Sequence, residues 1–149
     1  MTLNTDLLTA SFSLIQARQL EFSDAFYQTL FADYPEVISL FAHVDMEEQP
    51  IKLFASLTLV VNNLTKPDTL TKPLYGLGTR HVKYGVLPSH YPMVGGTLLK
   101  TMSSMLREEW TPDVSAAWSE AYATITQVML EGSDYPEETL MPKVAETIA

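Results

Sequence analysis

With 149 residues, 46% of them hydrophobic and 18% charged, the chain has the composition of one folded domain with room for a core, not of a disordered segment. Its formal net charge of −9 makes nucleic acid and anionic membrane surfaces poor partners. The absence of cysteine excludes disulfides, thiolate catalysis and Cys-ligated zinc or iron–sulfur centres.

The opening stretch "MTLNTDLLTASF" lacks the basic start and long apolar run of a secretory leader. "LFASLTLVVNNL" (53–64), the longest apolar stretch, is too short and too polar to span a bilayer. A soluble, cytoplasmic protein is the expectation. Leu8, Phe12 and Ile15 mark a short first helix. Phe22, Phe26, Leu30, Phe31 and Tyr34 line a second, which ends before Pro35 because the residue preceding a proline is pushed out of helical geometry. "PEVISLF" (35–41) reads as a short helical turn. Leu53, Leu57, Val60, Val61 and Leu64 form the next apolar stripe. Gln49 precedes Pro50, and proline is tolerated at the first helical position but not deeper. Gln49 is therefore expected at a loose helix start or in the loop before it.

Leu70, Leu74, Leu77, His81 and Tyr84 follow at steps of 4, 3, 4 and 3, which puts His81 on an apolar stripe. Gly76 and Gly78 lie in the same segment and cost helix stability, about 1 kcal/mol each relative to alanine. Gly78 leaves room for a bulky body close to the backbone one turn before His81. Val94, Leu98, Met102, Met105 and Leu106 line a further helix. The last begins with Thr111 as N-cap and Pro112 as first residue. It carries Val114, Ala117, Trp118, Ala121, Tyr122, Ile125, Val128 and Met129 on one face and stops at Gly132. No stretch alternates with the period of a half-buried strand. These pieces make an all-α domain of about seven or eight helical segments over residues 1–132, followed by a polar tail, 133–149.

Two histidines stand nine positions apart in "RHVKYGVLPSHYP" (80–92), with Gly85 and Pro88 between them. Nine residues is about half a helical turn off register, and Pro88 would break the helix in any case. They are not an i, i+4 metal pair. On the residues alone, His81 is either a buried imidazole satisfied by a carbonyl or a ligand donor. His90, beyond the bend, is expected to cap a helix or pair with an anion. His43, in "LFAHVD", reads as a solvated loop residue.

"FYQTLFADYPEVISLF", "LGTRHVKYGVLPSHYPMVGGTLLKTM" and "EEWTPDVSAAWSEAYATITQVM" occur in an order and spacing that resemble the globins. The likeness is greatest to single-domain bacterial haemoglobins and to the globin half of flavohaemoglobins, and it covers residues 3 to about 132. It implies a globin fold, about seven to eight helices packed around a haem pocket, with haem b as cofactor. It implies His81 as the iron ligand, with a carbonyl near Leu77 taking the other ring N–H. Phe41, Leu53, Leu77, Val86, Tyr91 and Val94 become haem contacts. Tyr27, Gln49 and Leu53 become the pocket for a gaseous ligand. Lys52 comes within reach of a haem propionate, and Gln49, Lys52 and His43 stay open as a sixth iron ligand.

Tyr91 matches a tyrosine that, in bacterial haemoglobins, joins a glutamate to polarise the proximal histidine. A gapless count places Ser133 at that glutamate, with Glu131 two residues earlier. The function implied is reversible binding of O2, with CO and NO as competitors, for storage or delivery. Two alternatives stay open: a nitric oxide dioxygenase dependent on an external reductase, and a haem-based gas sensor module. A monomer or homodimer, with no nucleic-acid or membrane partner, completes the expectation.

Overall fold

A computed structural model describes residues 4–133, and every regular element among them is helical. Helix α1 spans Thr5–Gln16, α2 Gln19–Asp33, α3 Gln49–Asn62, α4 Asp68–Lys83, α5 His90–Leu106 and α6 Pro112–Gly132. Two 3-10 turns, Pro35–Phe41 and Arg107–Glu109, join them. The all-α architecture expected from the sequence is therefore present, as eight helical segments among the described residues. No helix among the described residues is long and apolar enough to cross a membrane. Residues 134–149, expected as a polar tail, lie outside the described residues. Ser133, at the head of that segment, is buried, and its hydroxyl donates to the Met129 carbonyl at 3.1 Å.

The helix ends follow from local chemistry. Asn4 Oδ1 accepts from the Leu7 N–H at 3.2 Å, and Thr111 Oγ1 accepts from the Val114 N–H at 3.2 Å, so each hydroxyl or amide satisfies a backbone donor that helix geometry leaves open. Pro112 follows Thr111 at the start of α6, where its missing N–H costs nothing. Tyr34 leaves helical geometry at φ −134° and Pro35 opens the 3-10 turn that carries Phe41.

The core lies where α1, α2, α5 and α6 meet. Leu8, Ile15, Phe22, Phe26, Leu30 and Met102 are almost wholly buried there. Phe12 stacks on Phe54 at 5.1 Å and approaches Trp118 at 6.4 Å. The Trp118 indole N–H donates to Ser11 Oγ at 2.8 Å, and Ser11 in turn donates to the Leu7 carbonyl at 2.7 Å. Two buried donors are thus satisfied in series, which ties α1 to α6.

Helices α4 and α6 meet backbone to backbone. A Cβ built on Gly78 would fall 2.1 Å from the Met129 carbonyl oxygen, and one on Gly132 would fall 2.5 Å from Tyr75 Cα. Thr79 Oγ1 donates across the seam to the Gly132 carbonyl at 3.0 Å. The bulky body expected against Gly78 is therefore helix α6. Gly78 lies three residues from His81, about 60° round the helix, so it faces the neighbouring helix and not the space beside the imidazole.

Two glycine substitutions separate packing from propensity. Gly78→Val should lower unfolding free energy by about 3 kcal/mol or more, because backbone cannot move aside as a side chain can. Gly96→Ala has nothing within 4 Å of its new Cβ and should stabilise by up to about 1 kcal/mol. Urea denaturation of both variants checks the pair.

Candidate functional site

A cavity of about 570 Å³ opens between α3, α4, α5, α6 and the first 3-10 turn. Its size is within the range of small-molecule sites, and its walls are mainly apolar. Phe41 of the first 3-10 turn, Leu53 and Leu57 of α3, Leu77 and His81 of α4, and Val86, Tyr91 and Val94 beyond the α4–α5 bend all line it. All seven residues expected to contact a cofactor, His81, Phe41, Leu53, Leu77, Val86, Tyr91 and Val94, line this one cavity.

The end of α4 fixes His81 from two directions. Gly85 adopts φ +87°, a left-handed conformation that costs glycine nothing. The chain then doubles back, so that the Gly85 N–H meets the Val82 carbonyl at 3.0 Å and the Val86 N–H meets the His81 carbonyl at 3.0 Å. This reversal brings Val86 onto the cavity wall. On the side chain, His81 Nδ1 lies 2.8 Å from the Leu77 carbonyl. A carbonyl only accepts, so Nδ1 carries the hydrogen and Nε2 carries the lone pair.

The His81 ring stacks on Tyr91 at 6.2 Å and 27° and is tilted against Tyr84 at 5.9 Å. Burial pushes the imidazole below the ordinary histidine range; the Leu77 hydrogen bond opposes this and the nearby Arg80 charge adds to it. The result is a neutral imidazole with its basic nitrogen available.

Tyr27 and Gln49, expected at the ligand pocket, are brought together but do not line the cavity. Gln49 Nε2 donates to the Tyr27 hydroxyl oxygen at 3.1 Å. Tyr27 is buried, and its ring meets Phe41 edge-on at 5.6 Å, one aromatic layer behind the wall. Burial pushes the phenol up to about 12, with the Gln49 bond offsetting part of the rise, so the hydroxyl keeps its proton at neutral pH. Of the two places expected for Gln49, the structure has the helix start. It is the first residue of α3, held by Tyr27 and followed by the buried Pro50.

Other residues take different places. Lys52 is exposed and pairs with Glu48 at 3.9 Å, and His43 is exposed between the first 3-10 turn and α3. His90 opens α5, where its Nδ1 accepts from the Leu87 N–H at 2.9 Å, and it also lines the cavity. Glu131 turns to the surface, where it accepts from Tyr75 at 3.4 Å and Gln127 at 3.5 Å. Ser133 is spent on the Met129 and Leu130 carbonyls. Sequence reasoning missed two cations bordering the cavity, Lys72 and Arg80, and the α6 residues Tyr122, Ile125 and Met129. The α6 residues carried a signal, since they share the apolar stripe of their helix. Lys72 and Arg80 carried none beyond lying on the same helix as His81.

Gly85 offers a direct check on this local design. A Cβ there would meet Leu40 Cδ2 at an unstrained 3.6 Å, so the cost of Gly85→Ala is conformational, about 1–2 kcal/mol. Gly85→Asn should lose less, because asparagine tolerates the left-handed region. Equal stability of Gly85→Ala and the parent in chemical denaturation would contradict this reading of the bend.

Comparison with known proteins agrees with the fold. The globin family model matches residues 24–129. The flavohemoprotein of Pseudomonas aeruginosa is 30% identical over 131 residues, covering 86% of this chain and 33% of that protein. Flavohemoprotein B of Dictyostelium discoideum is 26% identical over 130 residues, covering 86% and 30%. The chain thus spans about a third of the length of the curated relatives it matches. Among solved structures, a bacterial globin from Campylobacter jejuni superimposes with a TM-score of 0.75 at 26% identity, covering 86% of this chain and 92% of that one. An engineered carbene transferase from Rhodothermus marinus gives 0.75 at 28% identity, covering 84% and 87%. A family model that spans most of the helical domain, on a fold shared with a solved bacterial globin, establishes that the chain belongs to the globin family.

Proposed function

We propose that this globin binds haem b in the 570 Å³ cavity, with His81 Nε2 as the protein's ligand to iron, and holds O2 there reversibly, with CO and NO as competitors. The observation that carries the reading is the neutral imidazole, pinned through Nδ1 and set in the wall of an apolar cavity. Among the described residues no group of three or more His, Asp or Glu side chains is placed to hold a metal ion. A lone imidazole suits iron that already carries most of its ligands in a flat macrocycle. The apolar walls suit such a ring's faces, and Lys72 and Arg80 at the border suit its two carboxylates. Haem iron, when bound, supplies the site at which O2, CO or NO attaches.

The chain's own residues do the rest. The Leu77 carbonyl fixes the His81 tautomer and keeps the basic nitrogen presented. Phe41, Leu53 and Leu57 keep water from the far side of the cavity. Tyr27 accepts from Gln49, which leaves its own O–H free to donate. That donor stands behind Phe41, so it meets a bound ligand only where the Phe41 ring moves aside, and there it favours a ligand with partial negative charge over a neutral one.

A second reading is a nitric oxide dioxygenase, in which O2 and NO combine with one electron from a separate reductase to give nitrate. The Rhodothermus marinus neighbour, described as a putative nitric oxide dioxygenase, favours it.

Tyr27→Phe removes the proposed donor and keeps the ring. It should raise the O2 dissociation rate roughly ten- to a hundredfold, since a hydrogen bond to a charged acceptor is worth about 1.5–3 kcal/mol and each 1.4 kcal/mol is tenfold. CO dissociation should change little. An unchanged O2 rate in stopped-flow measurements would mean that the Tyr27 hydroxyl does not reach the bound ligand from behind Phe41. Sustained NO consumption with an NADH-driven flavin reductase would favour the dioxygenase; consumption that stops after one equivalent would favour the carrier.

A further inference from the structure

Among the described residues, the exposed members of the cavity lining are Leu59 of α3 and Lys72, Pro73 and Arg80 of α4. The cavity therefore opens between these two helices, and its rim carries two cations beside two apolar side chains. Lys72, Gly76 and Arg80 follow one another at steps of four along α4. Lys83, eleven residues after Lys72, returns to within about 20° of its direction. Lys66 stands two residues before the helix. All four cations are exposed.

This stretch runs against the charge of the rest of the chain. Residues 66–83 hold these four cations and one acid, Asp68, on a chain of net charge −9. The ion pairs among the described residues lie elsewhere: Arg18 with Glu21, Lys52 with Glu48 and Lys100 with Asp33. Arg107 is followed directly by Glu108 and Glu109. Lys66, Lys72, Arg80 and Lys83 make no ion pair among the described residues, so they form a positive spot on an otherwise negative surface. A nucleic acid or a bilayer extends well past a spot of this size and would meet the acidic remainder. A compact acidic protein would not.

We propose that the outer face of α4, from Lys66 to Lys83, is the docking surface for a separate, acidic, electron-donating flavoprotein, which it seats over the mouth of the cavity. This rests on the reading of the cavity as a haem site that holds O2, because oxidised haem iron does not bind O2 and each oxidation has to be reversed from outside. One electron leaves the partner's reduced flavin and takes the iron from ferric to ferrous; no atom is transferred. Docking at the α3–α4 mouth keeps the path from partner to cavity short, since nowhere else among the described residues does an exposed side chain form the wall. Leu59 and Pro73 supply the apolar centre of such a contact and the cations its charged rim. Charges on a rim act chiefly on the rate of encounter.

The test uses the haem-loaded full chain with a flavodoxin, an acidic one-electron flavoprotein, as probe. A carbodiimide joins an amine to a carboxylate only where the two touch. It should link flavodoxin through Lys66, Lys72 and Lys83 and spare Lys52 and Lys100, a pattern that peptide mapping reads without any turnover. In stopped-flow reduction of the ferric chain by reduced flavodoxin at low salt, the Lys66→Glu/Lys83→Glu variant should react roughly tenfold or more slowly than the parent. The Arg18→Glu/Lys100→Glu variant, with the same change in net charge, should stay near the parent's rate. The difference should vanish in 1 M salt, where the screening length is about 3 Å. Cross-links spread evenly over the lysines, or equal slowing in both variants, would overturn the proposal. So would co-sedimentation with phosphatidylglycerol vesicles, which would assign the face to a membrane, or cross-links from these lysines to residues 134–149 or to a second copy, which would assign it to the chain itself. A chain that takes up no haem would instead overturn the reading of the cavity, so the two failures are distinguishable.

Discussion

A single hydrogen bond, 2.8 Å from His81 Nδ1 to the carbonyl one turn back at Leu77, decides what the cavity can do. It assigns the ring hydrogen to Nδ1 and so leaves the lone pair on Nε2. Without it, a neutral imidazole among apolar side chains would face a choice of tautomers, and burial would favour whichever found a partner. The bond exists because His81 occupies an apolar-stripe position of α4 with a regular turn behind it, and because the left-handed Gly85 ends the helix just beyond. Helix geometry, the glycine cap and the tautomer are one linked arrangement.

That arrangement is useful only if α4 stands at the right depth, and its depth is set by contact with α6. The backbone meeting at Gly78 and Gly132 leaves no slack along the seam. Helix α6 also places Tyr122 and Met129 in the cavity wall. α4 carries Pro73 within the helix, which forfeits one backbone hydrogen bond, and Pro73 lines the cavity too. Stability in this region comes from packing between helices more than from the intrinsic preference of α4, whose sequence also contains two glycines.

Much of this was legible in the sequence because helical period writes the fold directly. The Thr111–Pro112 start, the stripe from Val114 to Met129 and the break at Pro35 each depend on near neighbours, so local chemistry was enough to read them. The close approach expected at Gly78 is present, but its source lies far along the chain. A glycine announces a close approach but not what approaches, and here it is another helix. Gln49 was expected to be loose because proline follows it; its bond to Tyr27, 22 residues away, could not be read from neighbours. Tyr122 was legible as a core residue of α6, but its grip on the Tyr91 carbonyl depends on how α5 crosses α6, which no periodicity encodes.

The central claim is that one imidazole of three, His81, serves the cavity as a ligand donor. His90 also borders the cavity, yet its Nδ1 is occupied by the Leu87 N–H, and His43 lies outside in solvent. The most direct measurement is the absorption spectrum of haem-reconstituted protein, ferric, ferrous and CO-bound, for the parent, His81→Ala and His90→Ala. The account predicts that His90→Ala retains the parent's spectra, and that His81→Ala fails to hold haem stably unless imidazole is added. A His81→Ala protein with full haem content and the parent's CO-bound spectrum, in the absence of imidazole, would contradict it.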